Sequence, residues 1–377
     1  MHVNSIKLIN FRNYKGIEIF LNERLNIFLG NNAQGKTNLL ESIYIASTGK
    51  SFRTNRDREL ITLDKKQGYI GVKLKTEDNH KHIEIKLQTD NPKRAKINGV
   101  ELDKISELLG TLKVVVFSPE DLKIIKEGPS FRRAFLDNEI SQLKPIYKYT
   151  LNKYNRVLSQ RNNLLKTIKF ENKKKELLPV WNQQLVELGT KIFLLRREFV
   201  KTLSSISKDI HYSLTGNREN LEIGYSSSLS IKNYQKEEIT KKYYETLEKN
   251  ELEDIEKGTT KIGPHKDDLD IIIDNKDTRI FGSQGQQRTA ALSLKLAEVK
   301  LIKEEIGESP ILLLDDVFSE LDMNRRKYLV STFKDIQTII TSTDDIDIEE
   351  MDKFNKRIYY IKDGSIVYSE KKNIRKG

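Results

Sequence analysis

Gly30-Asn31-Asn32-Ala33-Gln34-Gly35-Lys36-Thr37 is the stretch on which the fold class turns. It has the Gly-x-x-x-x-Gly-Lys-Thr form of a phosphate-binding loop. It also stands where such a loop belongs, after the apolar run Leu25 to Leu29 and before a helical pattern that starts at Thr37. Glycine at both ends lets the backbone wrap a phosphate without a Cβ in the way, while the loop amides and the helix start supply positive potential. Lys36 reaches towards β and γ phosphates, the Thr37 hydroxyl suits Mg²⁺, and Asn38 carries the loop into the helix. The expected ligands are therefore ATP and Mg²⁺.

Further along the chain, Ile311-Leu312-Leu313-Leu314-Asp315-Asp316 is an apolar strand ending in two carboxylates. Alone it reads as a strand running into a turn. Paired with the loop at Gly30 it reads as the Walker B element, with Asp315 for the metal and Asp316 to polarise the attacking water, so that Asp316 and the phosphate-binding Lys36 are the candidate catalytic residues. Gly282-Ser283-Gln284-Gly285-Gln286 opens a helix. Its plain reading is a polar loop with an N-capping serine. Its position before the Asp pair and its similarity to the ABC signature Leu-Ser-Gly-Gly-Gln make Ser283, Gly285 and Gln286 candidate phosphate contacts. Ser319-Glu320-Leu321-Asp322 reads either as a dimer-interface D-loop or as a helix entry.

Upstream of the loop, Ser5 to Ile9 and Gly16 to Leu21 alternate as strands, and Leu25 to Leu29 is apolar enough for a buried parallel strand. Tyr69 to Lys75 and Lys81 to Gln88 alternate again around a turn at Glu77-Asp78-Asn79, Asn98-Gly99 marks a hairpin, and Val114 to Phe117 is another buried strand. From Pro129 the period lengthens. Tyr147, Leu151, Tyr154 and Leu158, then Trp181, Leu185, Leu188, Ile192, Leu195, Phe199, Leu203, Ile206 and Ile210, lay apolar stripes along two helices expected to pack as an antiparallel arm. Lys232 to Lys257 is charge-dense and reads equally as helix or loop. Sheet signals return at Leu269 to Ile273, a helix at Gln286, and a strand at Thr338 to Thr341. The expected architecture is α/β: a P-loop ATPase head with a mixed sheet, formed by residues 1–128 and 263–377, and an inserted helical lobe at 129–262.

Charge and composition narrow the partners. Lys plus Arg total 66 against 55 acids, a formal +11, which favours a polyanion through counterion release, although biased genome composition gives the same balance. There is no cysteine, and the five histidines show no metal-ligand spacing. No apolar run is long enough to span a membrane, and no membrane partner is expected.

Asn10-Phe11-Arg12-Asn13-Tyr14, Lys50-Ser51-Phe52-Arg53, Ser118-Pro119-Glu120-Asp121-Leu122, Gly263-Pro264-His265-Lys266-Asp267-Asp268 and Ser283-Gln284-Gly285-Gln286-Gln287-Arg288 together resemble the RecF family of SMC-related ABC-type ATPases. The resemblance implies a cytoplasmic, nucleoid-associated DNA-repair ATPase that forms an ATP-dependent homodimer. It also implies binding to double-stranded DNA near single-strand/double-strand junctions and work with RecR in loading RecA. By it, Arg12 and Asn13 lie against the nucleotide phosphates, and Ser283 caps the γ-phosphate held by the opposite subunit. Two departures stand out from ABC ATPases at large. Asp316 takes the usual Glu position, which implies slow turnover from its shorter reach, and Ser342 and Thr343 stand where many carry a switch histidine. His265 is read as structural.

Lys50, Arg53, Arg56 and Arg58, followed by Arg132 and Arg133, are the candidate DNA contacts. An SMC-like clamp with a vestigial ATPase keeps Lys36 but not hydrolysis. A transporter-type subunit conflicts with the roughly 245 residues between Thr37 and Ser283. A full SMC arm would need hundreds of heptad residues, more than this insert holds.

Overall fold

The computed structural model describes residues 1–76, 79–231, 234–343 and 349–372. The Glu77-Asp78 part of the expected turn and the start of the Lys232 tract lie outside them. Contacts divide the chain into two compact units, one of residues 1–121 with 294–377 and the other of residues 122–293.

The first unit begins with β1 (His2–Phe11), β2 (Tyr14–Phe20) and β3 (Leu25–Leu29), then helix α1 (Lys36–Thr48). β4 (Gln67–Lys75), β5 (His80–Gln88), β6 (Arg94–Ile97), β7 (Val100–Glu101) and β8 (Val114–Phe117) follow. The second unit holds α2 (Leu122–Lys126), α3 (Pro129–Leu143), α4 (Pro145–Ile168) and α5 (Leu178–Leu214), then β9 (Leu221–Ser226), α6 (Lys236–Lys249) and α7 (Glu251–Lys257). β10 (Asp268–Ile273), β11 (Lys276–Asp277) and α8 (Thr278–Phe281) complete it, and α9 (Gln284–Ile306) runs from it back into the first unit. The chain ends with β12 (Ile311–Asp315), α10 (Met323–Ser331), β13 (Thr338–Ser342), β14 (Lys356–Lys362) and β15 (Ser365–Lys372).

The first unit has two six-stranded sheets. One is an antiparallel sheet of order β2-β1-β4-β5-β6-β7, whose strands alternate buried and exposed as a sheet with one wet face must. The other has the order β15-β14-β3-β13-β12-β8, with β14, β3, β13, β12 and β8 parallel. β3, β8, β12 and β13 are buried along their whole length, which is why they read as continuous apolar runs. α1 belongs to the same core as both sheets: Leu39, Leu40, Ile43, Ile45 and Ala46 pack with Ile6 and Leu8 of β1 and Leu313 of β12. Most of α1 is buried, the polar Glu41, Ser42 and Ser47 included, and each of these three is hydrogen-bonded within the protein. Gln337 stitches strand starts together, accepting from Val3 N at 2.7 Å and donating to Val3 O and Asn22 O at 2.8 Å.

In the second unit α4 and α5 run antiparallel. Arg161 of α4 meets Asn182 early in α5, while Tyr147 early in α4 meets Arg196 later in α5. Lys236–Lys249 and Glu251–Lys257 prove helical, and the buried stripe Ile239, Tyr243, Leu247 gives the four-residue step that dense charge concealed. β10 pairs with β9 in a three-stranded sheet of this unit. That pairing corrects the expected return to the head at residue 263: the segment up to Ser293, signature included, is counted with the inserted unit. The inserted lobe is thus helical with a small sheet of its own.

Arg161, which is fully buried, is one polar lock of this unit. It donates to Asn182 Oδ1 at 2.7 Å, to Asp254 Oδ2 at 2.8 Å and to Thr260 Oγ1 at 2.7 Å. Asp254 is equally buried, so removing it strands a guanidinium charge out of water. Asp254→Ala should lower the stability of this unit by about 3–5 kcal/mol, read as a shifted urea midpoint. A midpoint within experimental scatter of the parent's would show that Arg161 is held by its neutral partners alone.

Candidate nucleotide site

β3 ends in the middle of the parallel sheet with β13 and β14 at its sides, so the loop after Leu29 emerges at the carboxyl edge where β12 and β13 also end. In open α/β sheets that edge is where ligands bind. The loop backbone needs left-handed geometry, with φ of 65° at Ala33 and 112° at Gly35. A Cβ at Gly35 would lie 2.7 Å from the Asn13 amide atoms and 2.9 Å from the Tyr14 hydroxyl, so only glycine fits.

The loop is braced from below. Tyr14 OH donates to Gly35 O at 3.0 Å, Asn13 Nδ2 donates to Gln34 O at 2.9 Å, and Asn38 Nδ2 donates to Asn13 Oδ1 at 2.8 Å. From the β14–β15 turn, Gly364 N donates to Gln34 O at 3.1 Å and Asp363 N to Gln34 Oε1 at 2.6 Å. The Lys36 ammonium folds over the loop, donating to Gly30 O and, at 2.8 Å, to Asn31 O. Asn32 is exposed at the loop's crest.

Asp315 joins three elements. Its Oδ1 accepts from Thr37 Oγ1 at 2.8 Å and from Thr341 Oγ1 at 2.7 Å. Thr341 also takes the Asp316 amide at 3.1 Å and fixes Asp316 in left-handed backbone, φ 54°. Asp316 Oδ1 is buried and has no hydrogen-bond partner among the described residues. Burial pushes the Asp316 pKa above the usual carboxylate range, the Lys36 ammonium pulls it down, and the neighbouring Asp315 pushes it up again. A hydroxyl, a carboxylate and an orphaned carboxylate oxygen beside a curled amide loop form a hard-oxygen set that fits a phosphate-bound Mg²⁺ and its nucleotide.

Arg12 differs from the expectation. Its guanidinium is bidentate on Glu41, at 2.9 and 2.7 Å, and donates to Glu59 O at 2.8 Å. Glu41 lies fully buried on α1 and also accepts from Ser51 Oγ at 2.5 Å, and a buried carboxylate of this kind must be paired. Arg12 therefore neutralises Glu41, and Asn13 rather than Arg12 meets the loop. Sequence reading missed Glu41. The available signal was the single acid of α1, set among Leu39, Leu40, Ile43 and Ile45.

Ser283 and Gln286 form a reciprocal capping box: Gln286 N donates to Ser283 Oγ at 3.2 Å and Ser283 N to Gln286 Oε1 at 2.9 Å. Gln286 Nε2 donates to Glu219 Oε1 at 3.1 Å, and the other oxygen of Glu219 lies 3.2 Å from His211 Nε2. Gly285 is open, with only the Ser283 hydroxyl within 4 Å of an added Cβ. The capping serine is thus present, on the exposed start of a long helix. In the D-loop stretch, Ser319 Oγ donates to Asp316 O at 2.6 Å, and Asp322 caps α10 by accepting from Arg325 N at 3.0 Å. Ser342 is buried at the end of β13. His265 bonds Tyr154 OH at 2.7 Å and Thr260 O at 2.9 Å, and burial lowers its pKa to about 4, which makes it a neutral brace.

The candidate DNA contacts separate. Arg132 is buried and bidentate on Asp268 at 2.7 and 2.8 Å, so it is withdrawn as a surface contact. Arg133 donates to Asp267 O at 2.9 Å, Arg53 to Asn38 Oδ1 at 2.8 Å, and Arg56 lies 3.7 Å from Glu59. Lys50 and Arg58 are exposed.

Comparison with known proteins agrees with this geometry. Residues 2–366 match the RecF/RecN/SMC N terminal domain. The chain is 48% identical over 368 residues to the DNA replication and repair protein RecF of Alkaliphilus oremlandii, covering 97% of this chain and 100% of that one. It is 45% identical to RecF of Clostridioides difficile, over 98% of this chain and 99% of that one. A solved structure of the recombination mediator protein RecF with ATP superposes with a TM-score of 0.91 at 39% identity, covering 98% and 97% of the two chains. An Smc head domain from Pyrococcus furiosus shares the fold alone, with a TM-score of 0.57 at 18% identity over 98% and 96%. With its phosphate loop, paired aspartates and capped signature helix on an SMC-type head, the chain belongs to the RecF family.

Proposed function

We propose that this chain is an ATP-driven DNA-binding switch of DNA replication and repair. The observation that carries the reading is the cluster of Lys36, Thr37, Asp315 and Asp316 at one sheet edge, with Asp316 Oδ1 without a hydrogen-bond partner among the described residues. Related RecF proteins are described as DNA replication and repair proteins, and one is solved with ATP in the RecFOR pathway. When bound, Mg²⁺ supplies charge neutralisation at the β and γ phosphates. The loop amides and Lys36 hold the phosphates, Thr37 and Asp315 hold the metal, and Asp316 orients the attacking water and takes its proton at the free oxygen.

In this reading Ser283, Gly285 and Gln286 face the γ-phosphate of a second copy, so ATP joins two chains and slow hydrolysis releases them. The dimer closes on double-stranded DNA beside single-strand gaps, and RecR is the partner that the family implies for RecA loading. An aspartate at position 316 supports catalysis over a vestigial site, and no described helix is long and apolar enough to cross a membrane.

Lys36→Ala should weaken ATP binding at least about tenfold with unchanged circular dichroism, because the ammonium is a phosphate ligand outside the core. Intact affinity in that variant would remove the phosphate-loop reading. Asp316→Asn should keep ATP-induced association and lose hydrolysis. In the parent protein, with the Asp316 pKa raised by burial, hydrolysis should fall as pH drops through a limb above the usual carboxylate value of about 4. A rate flat across that limb would show that another group accepts the proton.

The composite site has its own test. Lys36→Ala and Ser283→Arg proteins, each inactive alone, should regain activity on mixing. In a mixed dimer one site is intact, so about a quarter of parental ATPase is the ceiling for random pairing and independent sites. No recovery in heterodimers shown to form would rule out independent shared sites.

A further inference from the structure

The β2-β1-β4-β5-β6-β7 sheet buries one face in the head core and leaves the other to solvent. Its strand register decides which side chains share that outer face. Ile9, Tyr69, Lys86 and Arg94 form one row, and Glu18, Lys7, Gly71, Glu84, Lys96 and Glu101 form the next. Lys73 lies opposite His82, and Lys75 opposite His80. The cations are thus Lys7, Lys73, Lys75, Lys86, Arg94 and Lys96, all exposed.

The acids on this face do not cancel them. Glu84, at its centre, accepts from Tyr69 OH at 2.9 Å and lies 3.8 Å from His82 Nδ1, while Glu101 lies 3.6 Å from Arg94. Glu18 faces Lys7 across the strand pair, without an ion pair among the described residues. Lys7, Lys73, Lys75, Lys86 and Lys96 have no ion-pair partner among the described residues.

We propose that this sheet face is the surface on which the chain holds duplex DNA, an inference that rests on the DNA-binding reading above. Neighbouring strands lie about 4.8 Å apart, and same-face residues along a strand about 6.8 Å apart. That spacing gives a regular array of ammonium groups on flexible stems, suited to rows of phosphates and to no particular base. Single-stranded nucleic acid asks instead for successive aromatic platforms. Here Tyr69 lies along the sheet over Gly71, tied to Glu84, and Phe20 is exposed at the edge strand, so this face shows no run of platforms among the described residues. None of these lysines was among the sequence candidates, most of which prove to be engaged within the protein.

The test uses the full chain with ATP and a short blunt duplex, followed by fluorescence anisotropy at several salt concentrations. The variant carries Lys73→Ala, Lys86→Ala and Lys96→Ala together. Its affinity should fall at least tenfold, and its slope of log affinity against log salt should flatten by about 2.7, at 0.9 per lost phosphate contact. The matching triple Lys→Arg protein should bind as the parent does, which separates charge from fold. ATP affinity should be the same in all three proteins.

Parental affinity and slope in the triple alanine protein would overturn the sheet face, and the same loss in the arginine protein would overturn it too. If the parent itself binds no duplex at any salt, the DNA-binding reading falls, and the face falls with it. If the parent binds and Lys50→Ala with Arg58→Ala alone abolishes binding, the reading stands and the surface lies elsewhere.

Discussion

The hydroxyls of Thr37 and Thr341 both donate to one oxygen of Asp315, and the head is arranged so that these three side chains can meet. Thr37 and Asp315 are 278 positions apart, so no local preference brings them together. The contact needs β3, β13 and β12 to lie side by side, parallel, with aligned ends: Thr341 opposite Phe28 on one side and Asp315 on the other. A slip of one residue would turn Asp315 to the opposite face of the sheet, so the apolar strands fix the position of a polar atom. Parallel neighbours also require long crossovers. The crossover between β8 and β12 is the one that carries the inserted unit.

A second constraint operates beneath the loop. Glu41 is a fully buried anion on α1, and Arg12, in left-handed backbone at φ 53°, answers it with two parallel hydrogen bonds. The next residue, Asn13, braces Gln34 and Asn38. One tight turn between β1 and β2 therefore neutralises Glu41 of the helix and supports the end of the loop. Arg12 is linked towards the loop through Glu41, Arg53 and Asn38.

What was legible in the sequence was local. The phosphate loop, the apolar strand before the aspartates, the Asn98-Gly99 hairpin and the stripes of α4 and α5 each announce themselves within a window of a few turns or strands. What escaped needed partners far along the chain. β14 and β15 flank Asp363-Gly364, a good hairpin turn, but β14 also pairs in parallel with β3, which no local pattern states. β9 and β10 form a sheet inside the inserted unit, a pairing that the strand-like residues after Gly263 do not state on their own. Glu41 and Arg12 are 29 positions apart, and only their burial reveals the pair.

The same division explains how the cations sort. Arg12, Arg132, Arg161 and Arg196 each sit against a carboxylate with several hydrogen bonds, and all but Arg12 are nearly or fully buried. A planar, weakly hydrated guanidinium suits that work, because its fixed donors satisfy several acceptors at once. The lysines on the outer face of the antiparallel sheet are strongly hydrated point charges on stems that keep them in water. A net charge of +11 does not distinguish these two populations. Strand register does so for this sheet, because it sets five lysines with no ion pair among the described residues on one face, while the most engaged arginines lie inside the protein. Surface electrostatics are therefore read from the lysines and the sheet that aligns them, since the buried guanidiniums are already neutralised where they stand.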